Sequence, residues 1–158
     1  MLYDELFDNA LAIERTIETL YRRYAEIFRD EPDVAELFGV LATEEERHVR
    51  ILDGMDRRVE IKGQVESPLP MIKSQRDLIE LADRYQKEAA GPVSVRDALR
   101  NAFRLENSLP EKSLKKIRSL VDGGLAETFQ RMTDETIEHA RRVREFARSK
   151  DIRFSGEA

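Results

Sequence analysis

The sequence predicts an all-α chain: a bundle of four long helices with a long crossover, between the second and third, that carries a short extra helix. The first observation behind this is composition, because 37% of the 158 residues are charged, only 7% are aromatic and Trp is absent, the balance of long amphipathic helices. The second is apolar spacing at alternating steps of three and four along four extended stretches, which lines side chains on one face. The third is the placing of helix breakers between those stretches. The length fits one domain over residues 1–158, large enough to bury a core of its own.

The first helix is expected over Tyr3 to Arg29, ended by the turn Asp30-Glu31-Pro32-Asp33, where proline cannot continue a helix. The second is expected over Val34 to Ile61, stopped by Gly63, so that the two form an antiparallel hairpin. Residues 62–73 hold Gly63, Ser67, Pro68 and Pro70 and read as loop; Ser74 to Ala90 then shows Leu78, Leu81, Ala82, Tyr85 and Ala89 at the spacing of a short surface helix, ended by Gly91-Pro92. Ser94, with Asp97 three residues on, reads as a capping signal for a third helix from Val95 to about Val121, kinked at Pro110 and closed by Gly123-Gly124. The fourth runs from Leu125 to Lys150, and the last eight residues read as frayed. Some thirty residues join helices two and three, enough to cross the bundle's length.

The chain also repeats itself. Ala10-Leu11-Ala12-Ile13-Glu14 is echoed by Ala102-Phe103-Arg104-Leu105-Glu106, and Phe38 with His48 by Phe129 with His139. Two helical hairpins of similar design are packed together.

Composition also excludes classes of function. A net charge of −5 argues against a general nucleic-acid role, which needs a concentrated basic face. The absence of Cys removes thiolate nucleophiles, Fe–S clusters and Cys-ligated metal, so any electron donor is expected to be a separate molecule. The start MLYDELFDNALAIERT lacks the basic and apolar regions of a signal peptide, and no apolar run approaches bilayer length, so a cytoplasmic protein without a membrane role is expected.

Each inward stripe is apolar along most of its length and polar near its middle. Glu14 lies between Ala10 and Ile17; Glu45 and His48 between Leu41 and Leu52; Glu106 between Ala102 and Leu109; Thr136 and His139 between Met132 and Val143. These levels coincide in a bundle. Buried carboxylates repel one another and must be protonated, salt-bridged or bound to cations, and Lys and Arg are almost absent from the stripes. A pair of divalent ions suits the set: one Glu from each of two helices (Glu14, Glu106) plus Glu-x-x-His from the others, of which Glu45 to His48 is one. The other is imperfect, since Thr136 stands three before His139.

The chain here resembles the rubrerythrin-like branch of the ferritin-like superfamily, through Glu14 with Tyr21 seven residues on and Phe38-x-x-Leu41-Ala42 ahead of Glu45-x-x-His48. The resemblance implies a ferritin-like bundle, two non-haem iron ions, and Tyr21 orienting a carboxylate. Leu109 stands where peroxide-reducing members have a second Glu, and the Cys-bearing rubredoxin module is absent. Glu135 and Glu138 are the candidates for the carboxylate missing at Thr136; at about 100° per residue Glu135 shares a face with His139 and is expected to bridge the metals, with Glu138 as the alternative. The plainer readings are that a lone buried His is hydrogen-bonded core, that Tyr24 and the Met residues pack, and that Glu44 and Glu46 are solvated.

The function implied is a di-iron protein that reduces peroxide or dioxygen with electrons from an external donor protein, in a homodimer. A ferritin-like module without redox activity, serving structure or partner binding, and an iron-storage subunit are the alternatives.

Overall fold

The computed structural model describes residues 2–55, 67–109 and 123–154, with positions 114, 117, 118 and 121 between the last two. Among them are five helices and no strand: α1 Leu2–Ile27, α2 Pro32–Asp53, α3 Leu69–Glu88, α4 Val95–Leu109 and α5 Gly123–Ser149. The bundle is formed by α1, α2, α4 and α5, and α3 crosses between the two hairpins. The chain is thus the expected all-α, ferritin-like bundle. None of the described helices is long and apolar enough to cross a membrane.

Three boundaries differ from the sequence reading. α2 ends at Asp53, with Gly54 donating its N–H to the Arg50 carbonyl at 3.0 Å and Met55 outside the helix. The apolar spacing had carried the expected helix across Gly54, where glycine costs a helix interior about 1 kcal/mol; positions 56–61 and Gly63 lie outside the described residues. α3 begins at Leu69, five residues before the expected Ser74, with Pro68 at the N-cap and Pro70 in the first turn. Prolines there break nothing, because first-turn N–H groups have no helical acceptor. Gly123 and Gly124, expected to close the third helix, are the first described residues of α5, Gly123 with φ of +58°. Continuation of α4 past Pro110 falls largely outside the described residues.

α3 is more than a surface helix. Ile72, Gln75, Leu78, Ala82 and Tyr85 are buried, and Gln75 Nε2 donates to the Leu6 carbonyl at 2.9 Å while its Oε1 accepts from Asn9 Nδ2 at 3.3 Å. A buried amide satisfied on both sides fixes the seating of α3 on α1.

The apolar core is divided. One cluster holds Ile17, Tyr21, Tyr24, Phe38, Leu41, Leu99 and Leu105, with the Phe38 ring 5.0 Å from that of Tyr24 and 5.7 Å from that of Tyr21. The other gathers Ala10, Leu52, Leu114, Ile117, Phe129 and Met132. The polar residues of the four stripes lie between them.

The end of α5 is pinned. Ile152 N–H donates to the Ala147 carbonyl at 2.8 Å and Asp151 N–H to Arg148 at 3.0 Å, with Asp151 at φ 57°, the paired bonds that close a helix through one left-handed residue. This turn delivers Phe154 into the core, 7% exposed, its ring 5.0 Å from that of Phe103. Residues 151–154 are therefore docked, where fraying was expected; 155–158 lie outside the described residues. Phe154→Ala should lower unfolding free energy by about 3 kcal/mol, read from the denaturant midpoint at unchanged slope. A loss near zero would mean the tail is undocked in solution.

Candidate metal centre

Helical periodicity carries the site. Glu14 on α1, Glu45 and His48 on α2, Glu106 on α4, and Thr136 and His139 on α5 each continue an inward apolar stripe, and all six are 0–1% exposed. Two clusters result, Glu14 with Glu45 and His48, and Glu45 with Glu106 and His139. Within each, one donor atom per residue lies within 4.8 Å of the others. Glu45 belongs to both. Its Oε2 is 3.2 Å from His48 Nδ1 and its Oε1 is 2.8 Å from His139 Nδ1. The two imidazoles stack at 5.9 Å between centroids.

The clusters are under-bonded as they stand. Both oxygens of Glu14, Oε1 of Glu45, Oε2 of Glu106 and both ring nitrogens of His139 are buried without a hydrogen bond. Glu14 Oε2 lies 3.6 Å from His48 Nδ1, and Glu106 Oε2 lies 3.5 Å from His139 Nδ1. These contacts carry charge attraction without hydrogen-bond geometry. Unmatched buried carboxylates cost several kcal/mol, and hard oxygen donors with imidazole nitrogens are the set that divalent iron or manganese takes. The residues present fit a pair of such ions.

Protonation follows the same geometry. Burial raises the Glu14 carboxyl, and the neighbouring Glu45 charge raises it further. Burial and Glu106 oppose ionisation of Glu45, but its close approach to Glu14, His139 and His48 outweighs them and holds it low. Burial works against a charge on His48, yet Glu14 and Glu45 push it up to about 11. His139 likewise rises, against burial, to about 12 because Glu106, Glu44 and Glu45 surround it. Without metal, the two imidazolium charges balance the carboxylates.

Beyond the clusters each imidazole meets a further carboxylate from the opposite helix. His48 Nε2 donates to Glu135 Oε2 at 2.7 Å, and the same oxygen is 2.8 Å from Arg47. His139 Nε2 lies 2.9 Å from Glu44 Oε2, and Glu44 also pairs with Arg142. His139, followed by Arg142, holds the Glu44 carboxyl down to about 2. His48 Nε2 is engaged outward by a hydrogen bond, which fixes its tautomer and ring orientation; His139 Nε2 faces Glu44 without hydrogen-bond geometry, and Nδ1 of each ring points to the centre. Tyr21 donates to Glu106 Oε1 at 2.6 Å, so it holds a carboxylate as the resemblance implied.

Of the residues expected at the site, Glu14, Glu45, His48, Glu106 and His139 are brought together. Glu135 stands outside both clusters, its side chain 37% exposed, on the far side of His48. Glu138 faces out and pairs with Arg141 at 2.7 Å. Thr136 spends its hydroxyl on the Met132 carbonyl at 2.9 Å. Glu44, read from the sequence as solvated, is a partner of His139. The signal that could have found it is the repeat: an offset of 91 carries Glu44 onto Glu135, Glu45 onto Thr136 and His48 onto His139. Glu135 is therefore the counterpart of Glu44, and the counterpart of Glu45, which both clusters share, is Thr136.

No curated protein matches the chain, and no solved structure does. A family model described as Rubrerythrin matches residues 5–91, which contain Glu14, Tyr21, Glu45 and His48 on the stripes just described. That match covers more than half of the 158 residues, and the chain belongs to the rubrerythrin family.

Proposed function

We propose that the protein is a non-haem di-iron protein that reduces peroxide or dioxygen with electrons from an external donor. The observation that carries the reading is the set of buried, hydrogen-bond-free oxygens on Glu14, Glu45 and Glu106 beside two imidazole nitrogens. Iron, when bound, supplies reversible one-electron changes at each of two ions, the pair of electrons that converts a peroxide to two waters. Glu14 with His48 would hold one ion, Glu106 with His139 the other, and Glu45 both. Glu135 and Glu44 orient the imidazoles, and Tyr21 fixes Glu106. The apolar clusters on either side exclude water. The chain has no Cys, which supports a separate electron donor.

A second reading, a bundle that keeps metal for structure alone, is favoured by α5, whose Thr136 offers the clusters no carboxylate. Redox cycling of the loaded protein separates the two readings.

Anaerobic ferrous titration should saturate near two ions per chain and raise the melting temperature, because ligand that binds only the folded state stabilises it. Saturation well below one ion, with no shift in melting, would sink the proposal. Proton release gives an independent check. Both imidazoles are held protonated far above neutral pH in the metal-free protein, and a ligating nitrogen must lose its proton. Loading at pH 7 in weak buffer should therefore release about three protons per chain, two from the imidazoles and one from Glu14, whose carboxyl is raised to about 8, and affinity should rise with pH. Loading without acidification would mean that the imidazoles are not ligands. For turnover, the di-ferrous protein should oxidise once and stop until a donor is added; sustained peroxide loss without reductant would contradict the external-donor reading.

A further inference from the structure

The centre is one carboxylate short on the α5 side, and among the described residues no other carboxylate joins the two clusters. Three buried carboxylates, Glu14, Glu45 and Glu106, face the space that two divalent ions would share, and two divalent ions would leave one positive charge unmatched there. The outer carboxylates do not supply the balance, since Glu135 pairs with Arg47 and Glu44 with Arg142. Tyr21 is the hydrogen-bond donor to Glu106 and adds no negative charge. Thr136 is wholly buried, and its hydroxyl is turned to its own helix.

The repeat says what kind of group is absent. Glu45 spans both clusters with its two oxygens, Oε2 beside His48 and Oε1 beside His139, and Thr136 is its counterpart in the second hairpin. A group with the same span on the α5 side needs two oxygens carried on one small anion.

We propose that the metal pair of this chain is completed by a small exogenous monocarboxylate, of the formate or acetate class, held between the ions on the side of Thr136. The inference rests on the di-metal reading above. The anion brings both the charge and the two oxygen donors that α5 lacks, and hard carboxylate oxygens suit the same ions as Glu45 does. Metal and anion then bind cooperatively, each raising the affinity for the other by the same factor.

The test uses the whole protein and manganese(II), which stays divalent in air. Manganese(II) chloride is titrated in chloride and in acetate buffers of equal ionic strength, with calorimetry for affinity and electron paramagnetic resonance for coupling between paired ions. In acetate the affinity for the second ion should rise tenfold or more, and pivalate, with its bulky tertiary butyl group, should not reproduce the gain. Thr136→Glu should bind two ions tightly in chloride and lose the acetate effect, whereas Glu138→Gln, at a residue that faces out against Arg141, should keep it. Equal second-ion affinity in chloride and acetate overturns the inference while leaving the di-metal reading standing. If neither the natural chain nor Thr136→Glu takes up a coupled pair, the di-metal reading fails and carries the inference with it. The buffer comparison needs no variant, so misfolding of Thr136→Glu leaves the test decisive.

Discussion

Three carboxylates and two imidazoles are buried at one level of a helical bundle, and their charge has to be balanced where water cannot do it. Much of the architecture follows from that constraint. The apolar core is split into a cluster around Phe38 and Tyr24 and a cluster around Phe129 and Leu52, because the polar level cannot be bridged by aliphatic packing. Arg47 and Arg142 sit outside it, against Glu135 and Glu44, where a long side chain can keep its charged head partly in water. In the metal-free protein the imidazoles are the counter-charges, which is why both titrate far above the usual histidine range although burial alone would push them down.

The duplicated hairpin explains how so few residue types meet this constraint. A Glu four residues before a His lies about 40° from it on a helix, close enough to face the same neighbouring helix. Glu44 and Glu135 therefore reach across to the His of the opposite helix, Glu44 to His139 and Glu135 to His48. The exchange ties α2 to α5 by two polar contacts related by the repeat. The symmetry breaks at Glu45, whose counterpart is Thr136, so the carboxylate that the two clusters share comes from α2 alone.

How much of this could be read in the sequence depended on whether a residue's role was local or relational. Glu14, Glu45, His48, Glu106 and His139 were legible because helical periodicity alone assigns an inward face, and their levels coincide. Glu44 and Glu135 were misplaced because angle along one helix was used to judge a role that the opposite helix decides; the offset of 91 between hairpins held the answer. The early end of α2 at Asp53 was hidden because Met55 continues the apolar spacing past Gly54, and the early start of α3 because proline in a first turn looks like proline in a loop. Phe154 was read as tail because its partner, Phe103, lies 51 positions earlier in the chain, and only the turn at Asp151 aims it back.

The polar level also joins the two halves of the molecule. Tyr21 to Glu106, Asn101 to Tyr24 at 3.1 Å, His48 to Glu135 and His139 to Glu45 all run between the α1–α2 hairpin and the α4–α5 hairpin. Most of them pass through a candidate metal ligand. The hairpins thus meet through the residues that would hold the ions as well as through the apolar cluster around Phe38 and Leu99. Ions held by these residues would fasten the hairpins, and a substitution that loosens the hairpins would move Glu106 and His139 away from Glu45. The Tyr21 hydrogen bond acts on both at once, since it orients one carboxylate of the centre and anchors α4 to α1.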